Sequence, residues 1–118
     1  QRGAYVGGSL APGLVIALDA MTSRAARLFT VELKIPPTAI ARNTTEAIQS
    51  GVVLGYLSLI EGMITRIKSE LDCDPPVVVT GGYGEIFVDA SPLIDHFDPN
   101  LTINGLRIVH QRVTTEKR

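Results

Sequence analysis

The sequence predicts an α/β domain, and three stretches predict it. Pro76-Val77-Val78-Val79-Thr80-Gly81-Gly82 reads as a compact strand, buried on both faces as in a helix-covered sheet, closed by a tight glycine turn. Gly7-Gly8-Ser9-Leu10-Ala11-Pro12-Gly13 joins a β-prone stretch to a helix start. Between them Asn43 launches the longest helical pattern in the chain. The resulting order is strand, helix, long helix, strand, short helix, strand, helix, an alternation that belongs to the α/β class.

In chain order, Ala4–Leu10 is predicted to be a strand, with Gly7 and Gly8 marking a close approach to its backbone. Pro12-Gly13 opens a helix to about Arg27, with Leu14, Leu18, Met21 and Ala25 on one face. Pro12 suits a first helical position, where its missing N–H costs nothing. Val31–Ile35 is short and β-prone, and Pro36-Pro37 ends it.

The long helix spans residues 44–71. Asn43 and Glu46, three apart, match a capping box. One helical stripe carries Thr44, Ile48, Gly51, Gly55, Ser58 and Gly62, and a second carries Val53, Leu57, Ile60, Ile64, Ile67 and Leu71. Interior glycines cost roughly 1 kcal/mol each against alanine. The expected offset is another backbone packed closely against the small-residue stripe. Downstream, Gly84–Phe87 reads as a helical turn and Leu93–Phe97 as a second short strand. After an Asp98-Pro99 turn, Leu101–Arg112 reads as a closing helix with Leu101, Leu106, Val109 and Val113 inward.

The 118 residues fit one domain, 1–118. Charged residues make up 19%, below the roughly 25% of an average domain, against 45% hydrophobic. That balance favours an oligomer. A net charge of −1 argues against nucleic acid or an anionic membrane as partner. The apolar run around Val52–Ile60 is broken by Gly55, Tyr56 and Ser58 and falls short of a membrane span. Cys73 is the sole cysteine, which rules out an internal disulfide or a cysteine-based zinc site and suggests a surface or turn thiol. Gln1-Arg2-Gly3 is no signal peptide, and the chain reads as part of a longer one.

Two glycine motifs carry the binding chemistry. Backbone N–H groups at the Gly7–Gly13 joint, together with a helix N-terminus, suit an anion or polar ligand, although a tight connection explains the glycines as well. The run lacks the Lys-Ser/Thr of a Walker A motif. Thr80-Gly81-Gly82 follows a strand at its carboxyl end, where α/β sheets place ligands, and packing explains one glycine better than two. Asn43-Thr44-Thr45 is readable as a cap alone, yet Thr44 then keeps a free hydroxyl. His96 and His110 read as structural or surface residues. Asp89, Asp95 and Asp98 do not match a calcium loop, and no catalytic or metal-ligating constellation is visible. Glu61 reads as an interface contact or the edge of the apolar face.

Five motifs together closely resemble type III pantothenate kinases: Gly3–Gly13, Leu33-Lys34-Ile35-Pro36-Pro37, Asn43–Gly51, Thr80-Gly81-Gly82 and Asp98-Pro99-Asn100-Leu101-Thr102-Ile103-Asn104-Gly105-Leu106. The resemblance covers nearly the whole chain, in order. It implies the C-terminal, ribonuclease-H-like half of an actin-like (acetate kinase/sugar kinase/Hsp70) ATPase fold. It also implies a cytoplasmic homodimer that phosphorylates pantothenate from ATP with Mg²⁺ and K⁺ or NH₄⁺ in the first step of coenzyme A synthesis. Separately from the resemblance, a helix over 44–71 would span roughly 40 Å at about 1.5 Å per residue, more than a domain of this size covers by itself, so the dimer is expected to pair through it. Thr44, Asn43 and Gly8 match the substrate side. Gly81, Gly82 and Thr80, with Gly7, Pro12 and Gly13, match the nucleotide side. The family's catalytic base, first phosphate motif and cation-holding strand have no counterpart in these residues, so the chain alone is expected to be inactive. The alternatives are a non-enzymatic regulator resembling Bvg accessory factor, and a structural dimerisation module.

Overall fold

The computed structural model describes residues 3–22 and 31–115. Five α-helices, one π segment and two short strands occur among them: α1 Leu14–Thr22, α2 Thr44–Gln49, the π segment Ser50–Leu54, α3 Gly55–Leu71, β1 Val78–Val79, α4 Gly84–Val88, β2 His96–Phe97 and α5 Leu101–Thr115. Helices and parallel strands alternate in the second half, as an α/β chain requires. The chain divides into two compact units, Gln1–Leu54 and Gly55–Arg118.

In the first unit, the Gly13 carbonyl accepts the first helical bond, from Ala17 N at 3.0 Å. Gly13 therefore caps α1 and Pro12 stands just outside it. The predicted continuation to Arg27 lies outside the described residues. Among the described residues of this unit Leu14, Val31, Val52 and Val53 are buried, and α1 packs on the π segment that carries the last two. Ala4–Leu10 is not a strand: its backbone is irregular, and Tyr5, Val6 and Leu10 are exposed. A β-prone stretch without a partner strand has nothing to satisfy its ladder groups. The same holds for Val31–Ile35, which runs as irregular chain and bonds through Glu32 O to a side chain instead of a strand.

Helical geometry runs unbroken from Thr44 to Leu71, as the capping pattern predicts. Asn43 is extended, with φ −143° and ψ 164°, and its Oδ1 accepts from Glu46 N at 2.9 Å. The run ends where Asp72 turns left-handed, φ 49°, the conformation that often closes helices. Lys68 pairs with Asp74 just beyond that stop. At 28 residues the run is long and apolar enough to cross a bilayer by length and composition alone, contrary to the sequence expectation. Counting the apolar run stopped at Gly55, Tyr56 and Ser58, whereas the helix passes through them. A single helix of this kind is weak evidence for a membrane.

In the second unit, β1 and β2 are parallel neighbours, Val78 facing His96 and Val79 facing Phe97. The Asp95 carboxylate extends the pairing by accepting from Val77 N at 2.7 Å. α4 covers β2, and Phe87 on it is buried against Tyr56, ring centroids 6.0 Å apart. The valine strand is not buried on both faces: Val78 is 44% exposed. Nor are Leu101, Leu106, Val109 and Val113 inward, since every residue of α5 is exposed. Their helical spacing is real, but spacing identifies an apolar face without supplying the surface that covers it. Asp98 starts α5, its Oδ1 accepting from Asn100 N at 2.9 Å. Cys73 is exposed, as expected.

Candidate functional site

The predicted site residues fall into both units. Gly7, Gly8, Pro12, Gly13, Asn43 and Thr44 belong to the first, and Thr80, Gly81 and Gly82 to the second.

At the head of the long helix, Asn43 and Thr44 divide the work. The Asn43 side chain supplies the cap, so the capping role is filled without Thr44. Thr44 is exposed, and among the described residues no hydrogen bond engages its hydroxyl. The corner is approached through the segment 31–43, which the helix itself holds. Gln49 Nε2 donates to Glu32 O at 2.8 Å, and Ser50 Oγ to Ala39 O at 2.7 Å. Gln49 is 4% exposed. Sequence reading passed over it as one letter of a motif. The available signal was its place three and four residues before Val52 and Val53, a polar residue on the buried stripe.

The first glycine run has two different constraints. Gly7 sits at φ 136°, outside the range of ordinary side chains. A Cβ on Gly8 would stand 3.0 Å from Tyr5 Oη. In the second unit, Thr80-Gly81-Gly82 lies at the carboxyl end of β1. Gly81 adopts φ 100° and its carbonyl accepts from Gly84 N at 3.1 Å, closing the turn into α4. Backbone conformation thus accounts for Gly81. It does not account for Gly82, where an added Cβ would meet nothing within 4 Å.

On the helix, Cβ atoms added at Gly51, Gly55 and Gly62 would also meet nothing within 4 Å. No backbone of the described residues lies against the small-residue stripe. Among the described residues, no group of three His, Cys, Asp or Glu side chains is placed to hold a metal ion. His96 and His110 are both exposed.

The sequence model of the family "Type III pantothenate kinase" matches residues 1–66. A protein of that name from Thermomicrobium roseum is 49% identical over 111 residues, covering 94% of this chain and 43% of that protein. Its counterpart from Frankia casuarinae is 43% identical over 111 residues, 94% of this chain and 44% of that protein. The counterpart from Acidothermus cellulolyticus is 42% identical over 115 residues, 98% of this chain and 45% of that protein. The chain thus spans less than half the length of these relatives. The likeness runs through the helix cap and both glycine motifs, and it is far too extended to rest on any one of them. The chain belongs to the type III pantothenate kinase family.

Proposed function

We propose that this chain is the C-terminal half of an ATP-dependent pantothenate kinase, catalysing the first step of coenzyme A synthesis in the cytoplasm. The observation that carries the reading is the unengaged hydroxyl of Thr44, exposed at the head of a helix whose cap Asn43 already supplies. In this reading Thr44, with Asn43 and Gly8, holds pantothenate. Gly81, Gly82 and Thr80 are assigned to ATP, as are Gly7, Pro12 and Gly13. The open space at Gly82 supports the nucleotide assignment, because the turn itself needs only Gly81.

Phosphoryl transfer is catalysed chiefly by positioning and charge stabilisation, so a half-site of backbone donors and one hydroxyl is a sufficient contribution. Mg²⁺ and the monovalent cation, K⁺ or NH₄⁺, neutralise phosphate charge in such a reaction. This reading assigns both ions and the catalytic base to the rest of the longer protein, where the family's corresponding motifs are expected. The actin-like ATPase fold, with this chain as one ribonuclease-H-like domain, belongs to the same proposal. The test is direct. The complete protein should convert pantothenate and ATP to phosphopantothenate, and the 118-residue chain alone should not; turnover by the chain alone would defeat the assignment.

The homodimer is proposed through the 44–71 helix, whose Gly51, Gly55, Ser58 and Gly62 stripe is exposed and open. A second helix backbone on that stripe would offset the glycine cost of roughly 1 kcal/mol per position. An added Cβ at Gly55 meets nothing within 4 Å among the described residues, so the protomer carrying Gly55→Leu should stay folded. Sedimentation of the complete protein should then show monomers, whereas a persisting dimer would place the interface elsewhere.

A further inference from the structure

We infer that Gln49 is a positioning residue for the pantothenate corner, an inference that rests on the proposed function above. Gln49 ends α2, and its amide is buried while the corner it serves, Asn43-Thr44, is exposed. It donates across 17 residues of sequence to Glu32 O at 2.8 Å. The next residue, Ser50, donates to Ala39 O at 2.7 Å. Adjacent side chains at the start of the π segment therefore hold two points of the segment that delivers the chain into Asn43.

Between those two points lie Pro36 and Pro37, whose φ angles are fixed by their rings, and Pro36 is buried. A stiff segment pinned at both ends has little freedom left. Its exit through Ile40–Arg42 is then set, and with it the extended conformation of Asn43 and the placement of the Thr44 hydroxyl. Glu32 and Lys34 form an exposed ion pair at 2.9 Å, which contributes little to this hold. The bond from Gln49 is the stronger tie, because its donor belongs to a buried side chain that has water at hand only on the Glu32 side. The interruption of α-helical geometry directly after Gln49 fits this role, since π turns recur at functional sites.

The experiment is steady-state kinetics on the complete protein carrying Gln49→Met, which keeps the volume and removes the donor. The Michaelis constant for pantothenate should rise about tenfold, the size of one lost hydrogen bond, with that for ATP unchanged and kcat little altered. Ser91→Ala serves as the control for lost stability alone. Ser91 is buried in the second unit and its hydroxyl accepts from Leu93 N at 3.3 Å, so its loss should leave the pantothenate constant unmoved. An unchanged pantothenate constant in Gln49→Met, or an equal rise for both substrates, overturns the inference while leaving the kinase reading intact. If the parent protein fails to phosphorylate pantothenate, the kinase reading and this inference fall together. Should Gln49→Met not fold, Ser50→Ala reads the second tie: a roughly threefold rise for pantothenate alone supports the role, and no change refutes it.

Discussion

Gly84→Ala is expected to lower the melting temperature of the second unit by several degrees, the largest stability loss from adding a single methyl at any glycine described. Gly84 opens α4, is buried, and faces the strand pair directly. A Cβ there would stand 2.6 Å from Phe97 Cε2, 2.7 Å from Val79 Cγ1 and 3.0 Å from Phe97 Cδ2. Real Cβ atoms do not approach that closely. Val79 and Phe97 are register partners in β1 and β2, so neither moves without disturbing the only strand pairing described. Valine is also stiff at χ1, which leaves the Phe97 ring or the α4 backbone to shift. Overpacking of this kind costs about 1–3 kcal/mol, and each kcal/mol moves the midpoint of a small unit by roughly 4–8 °C. Gly82→Ala, two residues earlier, meets nothing within 4 Å and should leave the transition in place. Thermal unfolding of the two variants side by side checks the contrast; equal midpoints would mean that α4 does not sit on the strands as described.

The fold was legible in the sequence wherever the signal was local. The Asn43 cap, the helix it launches, the stop near Leu71, the turn into Gly84 and the Asp98 start of α5 all depend on residues within a few positions of one another. What sequence reading overestimated was burial. Among the described residues, Ala4–Leu10 and Val31–Ile35 have strand composition but no partner strand, and α5 has an apolar stripe but stays exposed along its length. β propensity describes a fit to a pleated, half-buried surface, and without that surface the same residues remain irregular. The π segment had no signature at all. Ser50-Gly51-Val52-Val53-Leu54 is compatible with an α-helix, and only the geometry shows the wider turn.

The candidate site divides in the same way. Gly81 is explained by its own φ, so the turn chemistry was readable from the doubled glycine. Gly82 is left over, which is what a ligand-facing glycine would look like. Gln49 was hidden because its partner is a carbonyl 17 residues away, and no local pattern announces a side chain that reaches so far.

Thr44→Ala is the second large effect, and it bears on the substrate corner itself. Alanine is the better helix former, so the head of the helix should be no less stable, and by up to about 0.5 kcal/mol more so. The Asn43 cap does not depend on the threonine hydroxyl. Any change in turnover therefore reports on ligand contact rather than on folding. A hydroxyl that bonds the substrate in a partly desolvated corner is worth about one hydrogen bond, a factor of about ten in affinity. A module that serves dimerisation alone would lose nothing. The decisive measurement is the pair of Michaelis constants of the complete protein with and without Thr44→Ala: a rise of about tenfold for pantothenate with ATP unmoved is the predicted result, and an unchanged pantothenate constant would contradict it.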